Sequence, residues 1–415
     1  MFGKGSVFIL LSFMVAMSGY QLRLNRAMLG TVSNFSQQYV EDQVYYANQS
    51  AMNYAINKVW ADTVKNDTFT VVSDMCTTFV AIQQVNLDTI RVLARSWAYT
   101  FDPETYQANQ NMLKVQDSMY AYFAYKMPVS KYFWFTNIEG NVYWVTGDSV
   151  WGPVHTNGKL RTYGAPVFFQ KVTAGQGIVS YSWWGQKAQF LGGYEVGVQV
   201  ELPTDMSYLI SAAQAANGGA PPNTKSIYNE KTTFTFFADG KVRREVDGQP
   251  PDTVKLSDIA PNGVIYSSKD VRVKGVLNGQ VTIYSDKNIW IDDDIVYADN
   301  PESNPNSDDL LGLVAKENVY VTDNAANNNG VTVHAAIMAI EGSFTAEHYD
   351  SRPYAGYLTV VGSIVQNARG PIGTFTWWGL HTGFSKRYKF DNRFNLMSPP
   401  KYPYVRELRL LSWWE

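Results

Sequence analysis

The sequence predicts a mainly β protein with a long protruding N-terminal α-helix and a β-solenoid-like body that carries an inserted α+β segment. Three observations predict it. An apolar stub runs without proline into an amphipathic stretch, pairs of short β-branched stretches return at a spacing of 18 residues, and charged residues are only 17% of the 415. That share is below the usual quarter. Tyr, Trp, Asn, Ser, Thr and Gly fill the gap, a β-rich and extracytoplasmic flavour. The net charge of −3 offers no basic surplus to neutralise a phosphate backbone, so no nucleic-acid partner is expected. The lone cysteine, Cys76, excludes an intrachain disulfide and reads as a small buried hydrophobe. His155, His334, His348 and His381 sit in no metal-ligand spacing.

At the N-terminus, Lys4 precedes an apolar run over residues 7–17. As a helix this run rises about 16 Å, too short to cross a ~30 Å hydrocarbon core alone. One reading is a secretory signal with Ala16-Met17-Ser18 as its cleavage site. The other rests on the residues beyond the run. No proline occurs before Pro103, and Val40, Val44, Ala47, Ala51, Tyr54 with Ala55, and Val59 recur at helical spacing, so helix is expected over 6–60.

An apolar stub continuing directly into such a helix resembles a type IV pilin. The resemblance implies a helix first held in the inner membrane and then packed with other pilin-like subunits. The leader MFGKG resembles a prepilin peptidase site, which implies processing between Gly5 and Ser6. It also implies a membrane anchor made of Val7, Phe8, Ile9, Leu10, Leu11, Phe13, Met14 and Val15. Pilins carry Glu at the fifth mature position. Here that position is Leu10, a departure that resembles some minor pilins and pseudopilins.

The body carries the repeat. The stretch GVIYSSKDVRV at 263–273 returns 18 residues later as VTIYSDKNIWI, and LVAKENVYV at 313–321 comes a further 30 on. The extra length matches the polar loop at 298–309. A fourth copy is expected to begin at Val331-Thr332-Val333 and a fifth at Leu358-Thr359-Val360. Coils of this kind bury their faces only by stacking, about 4.8 Å apart. Three columns should then point inward: Ile265/Ile283/Leu313, Val271/Ile289/Val319 and Val273/Ile291/Val321. Arg272/Trp290/Tyr320 should point outward, with Asp270/Asn288/Asn318 at one corner. An antiparallel β-sandwich is the alternative.

Residues 152–164 align without gaps on 263–275, which places Val154 on Ile265 and a first coil far upstream of the rest. Between them a helix is expected over 204–216 and a hairpin over 233–246, with its turn at Asp239-Gly240. A second, aromatic hairpin is expected over 131–146. The divisions are therefore a leader and helix (1–60), a β-rich region (61–150) and a first solenoid-like coil (151–175). An inserted segment (176–262), the solenoid-like repeats (263–375) and a C-terminal extension (376–415) complete the chain.

The phrases at 152–160, 190–198, 309–321, 332–344 and 362–375 resemble a family of bacterial surface proteins. Its members join a pilin-like N-terminus to a β-rich domain of unknown function. That resemblance implies a cell-envelope location, inner-membrane-anchored and then extracytoplasmic or at the cell surface, and supplies no catalytic residues.

Few groups suggest chemistry. Asp292, Asp293 and Asp294, with Asp299, Glu302, Asp308 and Asp309 nearby, are candidate oxygen ligands for calcium, the one cofactor considered. The pairs Trp183-Trp184, Trp377-Trp378 and Trp413-Trp414 are candidate platforms for sugars or proteins. No nucleophile elbow or phosphate loop occurs. The functional expectation is a non-enzymatic envelope component, minor pilin-like or pseudopilin-like, of a type IV filament or related secretion assembly. The alternatives are a secreted surface binding module (an adhesin or carbohydrate-binding module) and a carbohydrate-active β-solenoid enzyme.

Overall fold

The computed structural model describes residues 4–61, 66–73, 75–85, 89–101, 112–182, 185–376 and 379–414. The chain divides into two compact units, one of residues 1–127 with 406–415 and one of residues 128–405.

In the first unit, helix α1 runs over Lys4–Trp60. Its second half repeats small and branched apolar side chains along one stripe, and Val40, Val44, Ala51, Met52, Ala55 and Val59 are buried there. The stripe packs on one face of a sheet formed by β1 (Asp67–Val72), β2 (Thr77–Gln84), β3 (Thr89–Phe101), β4 (Met112–Pro128) and the C-terminal strand Tyr404–Trp414, in that order. β1 to β4 pair antiparallel. Alternation along the strands sends Val80, Ile82, Ile90, Val92, Ala94, Met119, Ala121 and Phe123 toward the helix. Asn48, fully buried within the stripe, donates its amide to Asp117 at 3.2 Å. Trp413 packs against the same core, and Trp414 stacks on Tyr120. The tail read as a plain extension thus supplies the fifth strand.

In the second unit, strands stack in parallel with residue over residue, as the repeat demands. Ile265 pairs with Ile283 and Ile283 with Leu313, Val271 with Ile289 and Ile289 with Val319, Val273 with Ile291 and Ile291 with Val321. All nine are fully buried. Each such side chain withdrawn from water contributes roughly 1.5–3 kcal/mol, which a single coil cannot collect alone. Arg272, Trp290 and Tyr320 line up on the outer face, with Trp290 and Tyr320 stacked at 4.5 Å. At the corner, Asp270 accepts the Asn288 backbone N–H at 3.0 Å, Asn288 that of Asn318 at 3.0 Å, and Asn318 that of Ser343 at 2.9 Å. This ladder satisfies turn donors that no strand partner reaches.

One column runs Ile265, Ile283, Leu313, Ile337, Ile364, Trp134, Val154, Val172, Tyr194, buried throughout except at its last member, the exposed Tyr194. The chain therefore enters the stack in its middle at Trp134 and climbs to Tyr194. It then returns along the side and climbs again from Ile227 until Ile364 meets Trp134 from below. The return passes Asn157, which clasps Val200 through both its backbone N–H and C=O, and reaches the helix Ser207–Asn217. Gly218, at φ 58°, ends that helix in a left-handed cap. The strands Thr232–Phe236 and Lys241–Val246 pair antiparallel around Asp239-Gly240.

Four expectations need correction. The fourth coil places Ile337, not Val331, on Leu313, while Val331 lies under Leu358. The cause is a polar loop in which Asn327 donates to the carbonyls of Ile291 and Thr322, lengthening the turn by six residues. The stretch 131–146 is no hairpin. Trp134–Ile138 lies between Ile364 and Val154, and Trp144-Val145 pairs with Thr162-Tyr163. Coils begin at Trp134, inside the region read as 61–150. They also continue past 175 through Tyr194–Val196, because the last step, Val172 to Tyr194, is 22 residues and hides from an 18-residue period.

Candidate membrane and assembly surface

Among the described residues, the apolar side chains of the first half of α1 are exposed rather than packed on the sheet of their own unit. Val7, Phe8, Ile9, Leu10, Leu11, Phe13, Met14 and Val15 are all exposed, Phe8 at 74% and Val15 at 70%. Leaving eight such side chains in water forgoes up to roughly 12–24 kcal/mol of burial, on the scale of a whole domain's usual margin of about 5–15 kcal/mol. This surface is therefore built to be covered by something outside the unit. Exposure extends beyond these residues to Tyr20, Leu22, Met28, Leu29, Val32 and Phe35; from Val40 onward one stripe of the helix is buried while Tyr46, Tyr54 and Trp60 stay exposed on the other side.

The sequence reading undercounted the apolar span. No charged residue lies between Gly5 and Leu22, because Ser18, Tyr20 and Gln21 are polar but uncharged. As a helix that stretch is about 27 Å long, and α1 is long and apolar enough by length and composition to cross a membrane. Counting charges rather than apolar letters reveals it. Arg23 and Arg26 come directly after, and the first carboxylate is Glu41. Gly5 and Ser6 lie in the first turn of α1, at the outer end of the exposed segment.

The candidate calcium ligands do not converge. Asp292 is occupied by both Arg272 guanidinium contacts at 2.7 Å and by the Thr322 hydroxyl at 2.7 Å. Asp293 accepts the N–H of Asp294 at 2.8 Å, and Asp294 accepts that of Thr332 at 2.6 Å. Successive strand residues point to opposite faces, so three adjacent carboxylates cannot close on one ion. Among the described residues no group of three or more His, Cys, Asp or Glu is placed to hold a metal. Asp309 organises the neighbouring loop instead, accepting from Gly279 and Asp299.

Other singled-out residues are spent on structure. His155 is fully buried, bonded to Thr173 at 2.7 Å and Asn157 at 2.9 Å, and its burial lowers its pKa. His334 accepts the N–H of Tyr297 at 3.2 Å, and its pKa is likewise lowered by burial. Cys76 is buried, which raises its thiol pKa. Trp183-Trp184 and Trp377-Trp378 lie outside the described residues. The sequence reading missed the pair Glu139–Arg369, joined at 2.9 Å with both side chains only 1% exposed. No local pattern marks it, since the partners are 230 residues apart.

No family model and no curated protein matches the chain. Among solved structures, the chain is similar to the competence-associated pilin ComZ from Thermus thermophilus. The two share 11% identity over 90% of this chain and 97% of that one, with a TM-score of 0.34.

Proposed function

We propose that this protein is a non-enzymatic, pilin-like component of the cell envelope. It is processed between Gly5 and Ser6, held in the inner membrane by residues 7–22, and then assembled with like subunits through the same helix surface. The observation that carries this reading is the division of α1 into an exposed apolar half and a half packed on an antiparallel sheet. A helix of that construction suits lipid and neighbouring helices in turn, since both present apolar, close-packing surroundings. Leu10 leaves the new N-terminal amine of a neighbour without a carboxylate at the fifth mature position, which fits a subunit present in few copies. In this reading the stacked coils serve as a stiff displayed body and perform no catalytic step.

Mass spectrometry of the mature chain purified from the cell envelope tests the proposal. The expected mature N-terminus is Ser6. A chain beginning near Gly19 contradicts it and assigns the segment to ordinary secretion.

A further inference from the structure

The stack's seam holds an opening of about 420 Å³, walled in part by Phe133, Trp144, Asp148, Trp151, Lys386 and Tyr388. It sits where the strand Gly379–Phe390, beside Tyr354–Ala368, faces the turn at 147–151. Flat rings frame it. Tyr388 stacks on Trp134, and Trp151 lies on Phe169 with ring centres 3.5 Å apart.

The electrostatics are lopsided. Lys386 lies 5.8 Å from the Trp144 ring centre, and the Arg369 guanidinium covers the same ring at 4.5 Å. Among the described residues, no hydrogen bond or ion pair engages the Lys386 ammonium. The carboxylates around it are committed elsewhere: Glu139 to Arg369, Asp148 to the N–H of Val145, Glu302 to Lys389. Arg387, also on the wall, lies over Tyr357. On the wall itself, Trp144 Nε1 is buried without an acceptor; behind it, the Glu139–Arg369 pair leaves one atom of each partner, Oε1 and Nη2, unbonded.

We propose that this opening binds a carboxylate-bearing sugar, its carboxylate on Lys386, its ring against the aromatic wall, and its hydroxyls toward Asp148, Ser149 and Thr359. The volume suits one or two sugar rings, within the ~300–1,000 Å³ of ordinary ligand sites. Aromatic faces suit the apolar side of a pyranose, and a cation lacking its counter-ion suits the carboxylate. The lysine's pKa agrees with this. By surface area the residue is only half-buried, yet desolvation first, and then the Arg369 charge, hold its pKa down to about 8 despite Asp148 and Glu139. A bound carboxylate raises it. Binding should therefore take up a proton near pH 8 and weaken as pH rises beyond.

Titration of the full chain in detergent, monitored by NMR or thermal shift, tests the site with D-glucuronate, D-glucose and acetate at pH 6.5 and 9.5. The expected result is saturable glucuronate binding at pH 6.5. Glucose and acetate should bind at least ~10-fold more weakly, and glucuronate itself ~10-fold more weakly at pH 9.5. Lys386→Met should abolish the glucuronate response. Should that variant misfold, Trp151→Ala, at a 53% exposed wall residue, should weaken binding without unfolding the unit. Acetate binding as well as glucuronate, glucose binding equally, or undiminished binding by folded Lys386→Met each overturns the proposal.

Discussion

Arg369→Ala is expected to destabilise the stacked unit by about 3–5 kcal/mol, the usual consequence of stranding one member of a buried ion pair. Glu139 and Arg369 are each 1% exposed, and each already carries an atom without a second partner, Oε1 and Nη2. Removing the guanidinium leaves a carboxylate in a site walled by Trp134 and Trp144, whose faces the cation also covers at 5.2 and 4.5 Å. The pair bridges the seam where the coil beginning at Trp134 lands on the coil ending near Arg369. Beside the parallel strand ladder, other polar ties at the seam include Asn137–Asn367, the Ile364 N–H to the Phe133 carbonyl and the Arg369 N–H to the Ile138 carbonyl. Urea unfolding read by tryptophan fluorescence should show the loss. Arg272→Ala is the control. Its pair with Asp292 is 41% exposed on the arginine side, so its loss should cost only ~0–1 kcal/mol. Equal effects of the two would remove the seam's special status.

The second large effect belongs to the helix. Phe8→Asp together with Phe13→Asp places two charges inside the apolar half of α1, at positions 74% and 63% exposed. Each carboxylate at mid-membrane costs about 2.5–3.5 kcal/mol, so together they shift partitioning more than a thousandfold. The variant should move from the membrane pellet to the soluble fraction while its sheet unit melts unchanged. Val44→Asp should do the reverse, since Val44 is fully buried among Cys76, Ala98 and their neighbours. It should retain membrane association and lose the cooperative melt. The two variants separate the halves of one continuous helix by function.

Local pattern made much of this legible. The three inward columns are visible because β-branched residues recur at equal offsets, and each pairs in the register that the spacing implies. The gapless alignment of 152–164 on 263–275 placed Val154 in the same column as Ile265, several coils away. What stayed hidden was order along the stack. Trp134 meets Ile364, a pairing set by the return of the chain past Asn157 and not by neighbouring residues. The aromatic stretch 131–146, with Glu139-Gly140 near its middle as an apparent turn, looks like a hairpin when its true partner lies so far off. Register survived the longer turn at 298–309, whose polar composition marks it, and failed at the loop at 324–330. The three aspartates looked like a site because sequence adjacency ignores strand alternation. Lys386 and Arg369 carry no motif at all. Their roles come from what the fold withholds from them, a counter-ion in one case and solvent in the other.

In the proposed function the apolar half of α1 lies in lipid while its second half lies against the protein's own sheet. Single-cysteine variants at Phe13 and Tyr54, both exposed helix positions, in a Cys76→Ala background allow a fluorophore to be placed in each half. In vesicles, a lipid-borne quencher should extinguish the label at position 13 and spare the one at 54, and a water-soluble quencher should do the opposite. Equal quenching of both labels from the aqueous side would contradict the account.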